Sequence, residues 1–228
     1  MPENIKSTVR LFADDTIVYL AITSDVDRVH LQEDLDRLAH WEQTWKMGFH
    51  LGKCNVMSIT KKRNSVINCY ILHGHQLEQV QSAKYLGVSI TSDMKWSEHI
   101  TNICKKANNT LSFLKRKLNT SNSNLKDKAY QSLVRPTQGY ACTTWDPHQQ
   151  NNKHSIEMVQ RRGATRYVKN GYHNTSPVTE IIGQLQWTSL EERRKTVRLI
   201  LLCKIANGLV KINAADRLHT NTIQQEYA

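Results

Sequence analysis

Apolar positions along the chain follow two regimes. From Thr8 to about Ile90 they come in short runs: Val9–Phe12, Thr16–Leu20, Val56–Ile59, Cys69–Leu72 and Tyr85–Ile90. Their length and β-branched content predict strands. One helix interrupts them. Leu31, Leu35, Leu38, Trp41 and Trp45 recur at steps of three and four, so both tryptophans are expected in the core, and Ser24-Asp25-Val26-Asp27 supplies a capping box. Beyond Trp96 the period turns helical. Ile100, Ile103, Ala107, Leu111, Leu114 and Leu118 define a long amphipathic helix with Ser97 as its N-cap. A second helix runs from about Leu125 to Val134 and is expected to stop before Pro136, which cannot continue it. A third covers about Ser155 to Tyr167, and a last one starts at the capping box Ser189-Leu190-Glu191-Glu192 and closes at Asn207-Gly208. The pattern predicts an α+β unit over residues 1–96, built of a β-hairpin, a helix and short antiparallel strands, followed by an all-α unit over 97–228.

Charge divides the chain at the same place. Residues 1–100 carry 11 Lys and Arg against 12 Asp and Glu, whereas residues 101–228 carry 20 against 8. The whole excess of +11 therefore lies in the helical half, and a basic surface of that size attracts polyanions, nucleic acid first among them. The bland alternative is a solvated basic face. No apolar run approaches the ~20 residues that a membrane span needs, and the first residues show no secretory pattern. Five cysteines, Cys54, Cys69, Cys104, Cys142 and Cys203, are scattered without a framework. The expectation is an intracellular, reduced protein of 228 residues in one or two domains, neither secreted nor membrane-bound.

Candidate chemistry concentrates at Leu11-Phe12-Ala13-Asp14-Asp15. Lying between two strand-like runs, the acids fall at the tip of a tight hairpin. Two carboxylates at ~4 Å repel by about 4 kcal/mol at an effective dielectric near 20, so a divalent cation best explains keeping both ionised there. Mg²⁺ suits such oxygens, and a pair of ions can serve phosphoryl transfer. Taken alone, the dipeptide reads better as an acidic turn. His73-Gly74-His75 and the trio Cys142, His148 and His154 match no closed zinc pattern.

The surroundings of the two aspartates change that weighting. Ser7-Thr8-Val9-Arg10-Leu11-Phe12-Ala13-Asp14-Asp15 resembles the catalytic hairpin of reverse transcriptases from LINE-type (non-LTR) retrotransposons of the jockey and chicken-repeat kind. Trp45-Lys46-Met47-Gly48-Phe49 through Lys53-Cys54-Asn55-Val56-Met57 looks like the next polymerase motif, and Tyr85-Leu86-Gly87-Val88 like the primer-grip turn. Leu133-Val134-Arg135-Pro136, Tyr140-Ala141-Cys142 and Trp145-Asp146-Pro147-His148 resemble the thumb signature of these elements. Val159-Gln160-Arg161-Arg162 and Ser189-Leu190-Glu191-Glu192-Arg193-Arg194 resemble the helical region after it. The likeness covers essentially residues 1–212. It departs at His50-Leu51, where the family usually has Asn-Pro, and at Gln138-Gly139, where it usually has Leu-Glu.

The resemblance implies the second half of a polymerase palm over 1–96 and a basic thumb with a C-terminal helical region over 97–228. It implies Asp14 as a Mg²⁺ ligand and Asp15 as a second ligand or an electrostatic partner. Phe12 would face the nascent pair, and Lys53 would protonate the leaving pyrophosphate. Tyr85, Leu86 and Gly87 would shape the turn under the primer end. Lys105, Lys106, Lys115, Arg116, Lys117, Arg161 and Arg162 lie off the apolar stripes and would meet phosphates of an RNA–DNA duplex. Partners would be an RNA template, a DNA primer and, in the full-length parent, deoxynucleoside triphosphates, in the nucleus and cytoplasm. The family takes a further aspartate and a glycine-rich motif from upstream, so these residues alone are expected to bind Mg²⁺ weakly and not to polymerise. A non-catalytic RNA- or DNA-binding module, or a decayed copy without function, is the alternative.

Overall fold

A computed structural model describes residues 5–60, 68–169 and 177–210. The chain divides into two compact units, Met1–His99 and Ile100–Ala228. In the first, β1 (Thr8–Phe12) and β2 (Asp15–Tyr19) form an antiparallel hairpin in which Phe12 pairs with Asp15. Helix α1 (Asp25–Trp45) follows the capping box read from the sequence, with Asp27 accepting hydrogen bonds from the backbone and hydroxyls of Thr23 and Ser24. Its buried residues are Asp34, Leu38 and Glu42, spaced at i, i+4 and i+8. Leu31 and Leu35 pack on the Tyr70, Leu72 and Leu77 cluster as the stripe predicts. Trp45 does not join a core: it is 66% exposed. It is the final helical residue, one turn's length past Glu42, and the chain leaves through Lys46 in the left-handed region (φ 55°).

The remaining strands are shorter than the apolar runs suggest. After a 3₁₀ turn at Leu51–Lys53 come β3 (Asn55–Val56), β4 (Ile71–Leu72), β5 (His75–Gln76), β6 (Glu78–Gln79), β7 (Ser82–Tyr85) and β8 (Val88–Thr91). β3 pairs with β6 in parallel, while β4–β5 and β7–β8 are antiparallel hairpins. The run Tyr85–Ile90 is thus no single strand but the bend of a hairpin. Leu86 (φ 46°) and Gly87 (φ 82°) both take positive φ, the combination that a two-residue turn needs to match strand twist. His73 (φ 50°) and Gly74 (φ 72°) do the same between β4 and β5.

Strands of two residues have little stability of their own, and here side chains supply what the ladders lack. Gln32 on α1 donates to the Ile71 carbonyl (2.8 Å) and accepts from the Ile71 N–H (2.9 Å), taking the place of a missing strand beside β4. Glu42 accepts from the Phe49 N–H and meets His73 Nε2 at 2.5 Å. At the root of β8, the buried ring of His99 accepts the Ser89 N–H at Nδ1 (3.2 Å).

In the second unit, α2 (Ser97–Lys117) buries Ile100, Ile103, Ala107, Leu111 and Leu114, the predicted stripe. Ser97 is its first helical residue and not its cap. Helix α3 (Ser123–Ala129), capped by Asn122, does not end the segment before Pro136. It passes through a π-turn, Tyr130–Val134, into α4 (Arg135–Gly139), which carries Pro136 near its start. The Arg135 N–H bonds back to the Tyr130 carbonyl five residues earlier; that widened turn makes room for a ring that would clash in a regular helix. Helix α5 (Gln150–Arg162) begins five residues before the predicted start and runs into a second π-turn, Gly163–Val168. Helix α6 (Val178–Gln184) was not foreseen. Helix α7 (Leu190–Ala206) starts at Ser189, whose hydroxyl accepts the Glu192 N–H, and closes at Asn207 with Gly208 at φ 68°. None of the described helices is long and apolar enough to cross a membrane.

Tyr130 lies at the centre of this unit, fully buried. Its ring stacks on Trp187 at 4.4 Å, Trp187 Nε1 donates to Asp127 Oδ1 (2.8 Å), and the Tyr130 hydroxyl reaches Gln138 Oε1 (3.3 Å). Burial pushes the Tyr130 hydroxyl pKa well up. On the other side, a Cβ at Gly163 would sit 2.5 Å from Tyr130 Cε2. Gly163→Ala should therefore destabilise the protein by about 1–3 kcal/mol through overpacking, measured by urea unfolding, and should cost less in a Tyr130→Leu background, where the ring it meets is gone.

Burial holds the His99 pKa below its ordinary 6.5. The unfolded chain therefore binds a proton at this residue at a higher pH than the folded one, and stability is present above pH 6.5 and is lost as pH falls through the folded value. Between about pH 7.5 and 5.5, His99→Gln should unfold with a flatter pH dependence than the wild type in thermal melts.

Candidate active-site hairpin and nucleic-acid surface

The hairpin that carries Asp14 and Asp15 is fixed at its base and free at its tip. At the base, the carboxylate of Asp34, 0% exposed, accepts the Lys6 N–H (3.0 Å), the Ser7 N–H (2.7 Å) and the Ser7 hydroxyl (2.7 Å), while Arg37 Nη1 holds its other oxygen at 2.8 Å. Burial raises the Asp34 pKa, but the donors from Ser7, Arg37 and Lys6 outweigh it and bring the pKa below the usual carboxylate range. A buried charge so ringed by donors is a fixed anchor. At the tip, Ala13 (φ 51°) and Asp14 form the two-residue turn and Asp15 opens β2. Asp14 and Asp15 are exposed and Phe12 is 64% exposed. Left-handed backbone at an alanine costs roughly 1–2 kcal/mol; here it turns the chain so that Asp14 falls at the apex.

Among the described residues no group of three or more His, Cys, Asp or Glu is placed to hold a metal. His73 instead pairs with Glu42, and of the other trio Cys142 is buried while His148 and His154 are exposed. All five cysteines are unpaired thiols. Lys53 ends the exposed 3₁₀ turn in the same unit as the hairpin. Tyr85 and Leu86 are half-buried and Gly87 exposed at the β7–β8 turn, whose strands are tied at their open end by the Ser92 hydroxyl donating to Gln81 Oε1 (2.6 Å).

Lys105, Lys106, Lys115, Arg116, Lys117, Arg161 and Arg162 are all exposed. Five of them lie on α2, off its buried stripe. Among them stands Phe113, 51% exposed, at helical spacing from Lys106 and Lys117. Its signal was present in the sequence: it falls between Leu111 and Leu114 but off the apolar stripe.

The motifs between Leu133 and Arg194, dispersed over sixty residues of sequence, meet in one cluster. Asp146 of the Trp-Asp-Pro segment lies 3.5 Å from Arg194 Nε and 2.7 Å from Arg198 Nη1, both on α7. Gln160 donates to the Thr188 carbonyl (2.9 Å), Glu157 accepts the Glu191 N–H (2.9 Å), and Gln138 donates to the Ile156 carbonyl (3.0 Å). Trp145, buried, donates its indole N–H to the Tyr140 carbonyl (2.9 Å) beneath the guanidinium of Arg194. Sequence reasoning overlooked the buried polar residues Asp34, Glu42 and Arg194, because no pattern of hydrophobicity marks a polar residue as internal.

No family model matches the chain, and no solved structure matches it. Among curated proteins it is 28% identical over 166 residues to the probable RNA-directed DNA polymerase from transposon X-element of Drosophila melanogaster, covering 70% of this chain and 18% of that protein. It is 27% identical over 168 residues to the RNA-directed DNA polymerase from mobile element jockey of the same species, covering 69% of this chain and 18% of the relative. The corresponding jockey protein of Drosophila funebris is 26% identical over 163 residues, with 68% and 17% covered. The chain spans less than a fifth of the length of these relatives. Sequence thus relates it to a segment of the RNA-directed DNA polymerases of jockey-like non-LTR retrotransposons.

Proposed function

We propose that residues 1–96 serve as the second half of a reverse transcriptase palm and residues 97–228 as its thumb and following helical region, acting on an RNA template and a DNA primer inside the host cell. The observation that carries this reading is the exposed Asp14-Asp15 pair on a hairpin whose base is locked by Asp34. The donor set fits Mg²⁺: two hard carboxylate oxygens with room for water and substrate phosphates. When bound, such an ion stabilises the charge on the attacking and leaving oxygens.

The chain's own residues have separate parts in this proposal. Asp14 and Asp15 hold the ion and Phe12 borders the new base pair. Lys53 delivers a proton to the departing pyrophosphate from a flexible cationic arm. Tyr85, Leu86 and Gly87 support the primer end, where a glycine lets backbone approach closely. The exposed lysines and arginines of α2 and α5 contact phosphates, which position a duplex without reading its sequence.

A polypeptide of these 228 residues should bind template–primer and fail to extend it, since Asp14 and Asp15 have no third carboxylate beside them among the described residues. Extension by this polypeptide that is lost in Asp14→Ala would overturn that expectation. Transplanted into an active jockey polymerase in place of the corresponding segment, residues 5–96 should support extension, and Asp14→Asn in that chimaera should lower it roughly a thousandfold.

If about four to six phosphates are neutralised, log K for an RNA–DNA hybrid should fall against log salt with a slope of roughly −3 to −5. Reversal of Lys115, Arg116 and Lys117 to Glu should weaken every duplex by a similar factor and flatten the slope. A salt-independent affinity, or one indifferent to the reversal, would mean that the charge is only a solvated face.

A further inference from the structure

The packing of α7 against α4 leaves one guanidinium unmatched. Arg194 is 2% exposed. Its Nε lies at the long distance of 3.5 Å from Asp146, a carboxylate already held at 2.7 Å by Arg198. Neither Nη1 nor Nη2 has a hydrogen-bond partner among the described residues. The face of Trp145, 5.8 Å from the guanidinium carbon, offsets part of the buried charge, but a π face does not satisfy in-plane N–H donors. Buried donors are normally paired.

Arg194 lines a cleft of about 350 Å³ together with Gln131, Arg135, Gly139, Tyr140 and Arg193. Three arginines thus line it, and no carboxylate does among the described residues. Gln131 Oε1 holds Arg135 Nη2 at 2.8 Å, fixing one of the three. Burial and the like charge of Arg193 push the Arg135 pKa down, outweighing the opposing pull of Tyr130 and Asp127.

We infer that this cleft is a phosphate-binding site. Planar guanidinium forks match the oxygens of a tetrahedral oxyanion and donate in pairs. A phosphate would satisfy the idle donors of Arg194 and offset the repulsion between Arg135 and Arg193. Its source is either a phosphate of a nucleic-acid strand or the free inorganic anion. The site is built within the second unit alone and does not rest on the catalytic reading of the Asp14-Asp15 hairpin.

Gly139 offers a direct test, because it lines the cleft and a Cβ there would meet nothing within 4 Å. Gly139→Glu should place a carboxylate among the three arginines, while Gly139→Ala controls for the change in helix propensity. Inorganic phosphate, titrated to about ten times its dissociation constant, should raise the Tm of the full chain by roughly 3–6 °C, beyond sodium chloride at equal ionic strength. Gly139→Ala should keep this response. Gly139→Glu should lose it and melt higher than Gly139→Ala without phosphate. Arg193→Gln, at an exposed position, should weaken phosphate roughly tenfold.

Affinity for an RNA–DNA hybrid at fixed salt separates the two sources. A roughly tenfold loss in Gly139→Glu but not in Gly139→Ala assigns the phosphate to a strand. An unchanged hybrid affinity alongside a lost phosphate response assigns it to the free anion. If the phosphate response and the hybrid affinity both ignore Gly139→Glu, the site does not exist. That failure is distinct from failure of the proposed thumb role, which is read from the Lys115, Arg116 and Lys117 reversal.

Discussion

The helical unit depends on the approach of the Gly163 backbone to the ring of Tyr130, a contact that excludes any larger residue at 163. Because that ring also stacks on Trp187 and its hydroxyl reaches Gln138, the contact links α3, α4, α5 and the segment leading into α7. Both partners lie in π-turns, Tyr130 opening one and Gly163 the other. Each π-turn adds a residue to a helical turn and shifts the face that follows it. The wider turns let two helices that would otherwise be held apart by side chains meet at van der Waals distance, at the cost of poorer backbone hydrogen bonding locally.

The first unit is organised by buried polar groups in place of a large apolar core. Its strands are too short to hold themselves, and α1 supplies three polar side chains that do the holding: Gln32 to β4, Asp34 to the base of β1, and Glu42 to Phe49 and His73. Such groups are costly to bury unless every lone pair is met. Asp34 meets that condition with donors on both oxygens. The outcome is a scaffold that fixes the hairpin at its root and leaves the two carboxylates of the tip in water, where hydrated ions and phosphates can reach them.

Positive charge in the second unit is used in two ways. On α2 and at the end of α5 it stands in solvent, where it supplies a long-range field that salt screens. On α7 it is drawn inward: Arg194 is buried against Trp145 and Asp146. A side chain withdrawn from water in this way cannot trade its partners for solvent, so its unmet donors constrain what can occupy the cleft.

Three of the helices and the first hairpin were legible along the chain. Periodicity located α1, α2 and α7 because one face of each must leave water, and the capping residues Ser24 and Ser189 sit where the chain enters a helix. Asp14 could be placed at a turn because β-rich runs flank it, and the basic residues of α2 could be placed in solvent because they fall off its stripe. Tertiary structure decided the rest. Trp45 fits the stripe of α1 but extends past the packed cluster, so its exposure depends on where the neighbouring hairpin ends. Pro136 ends a regular helix but not a π-turn, and the bend in Tyr85–Ile90 depends on which residues adopt positive φ. Asp34, Glu42 and Arg194 read as surface residues until the partners that surround them, distant in sequence, are brought together by folding. Hydrophobicity is a property of each residue and can be read along a line, whereas the satisfaction of a buried charge belongs to a set of residues that only the folded chain assembles.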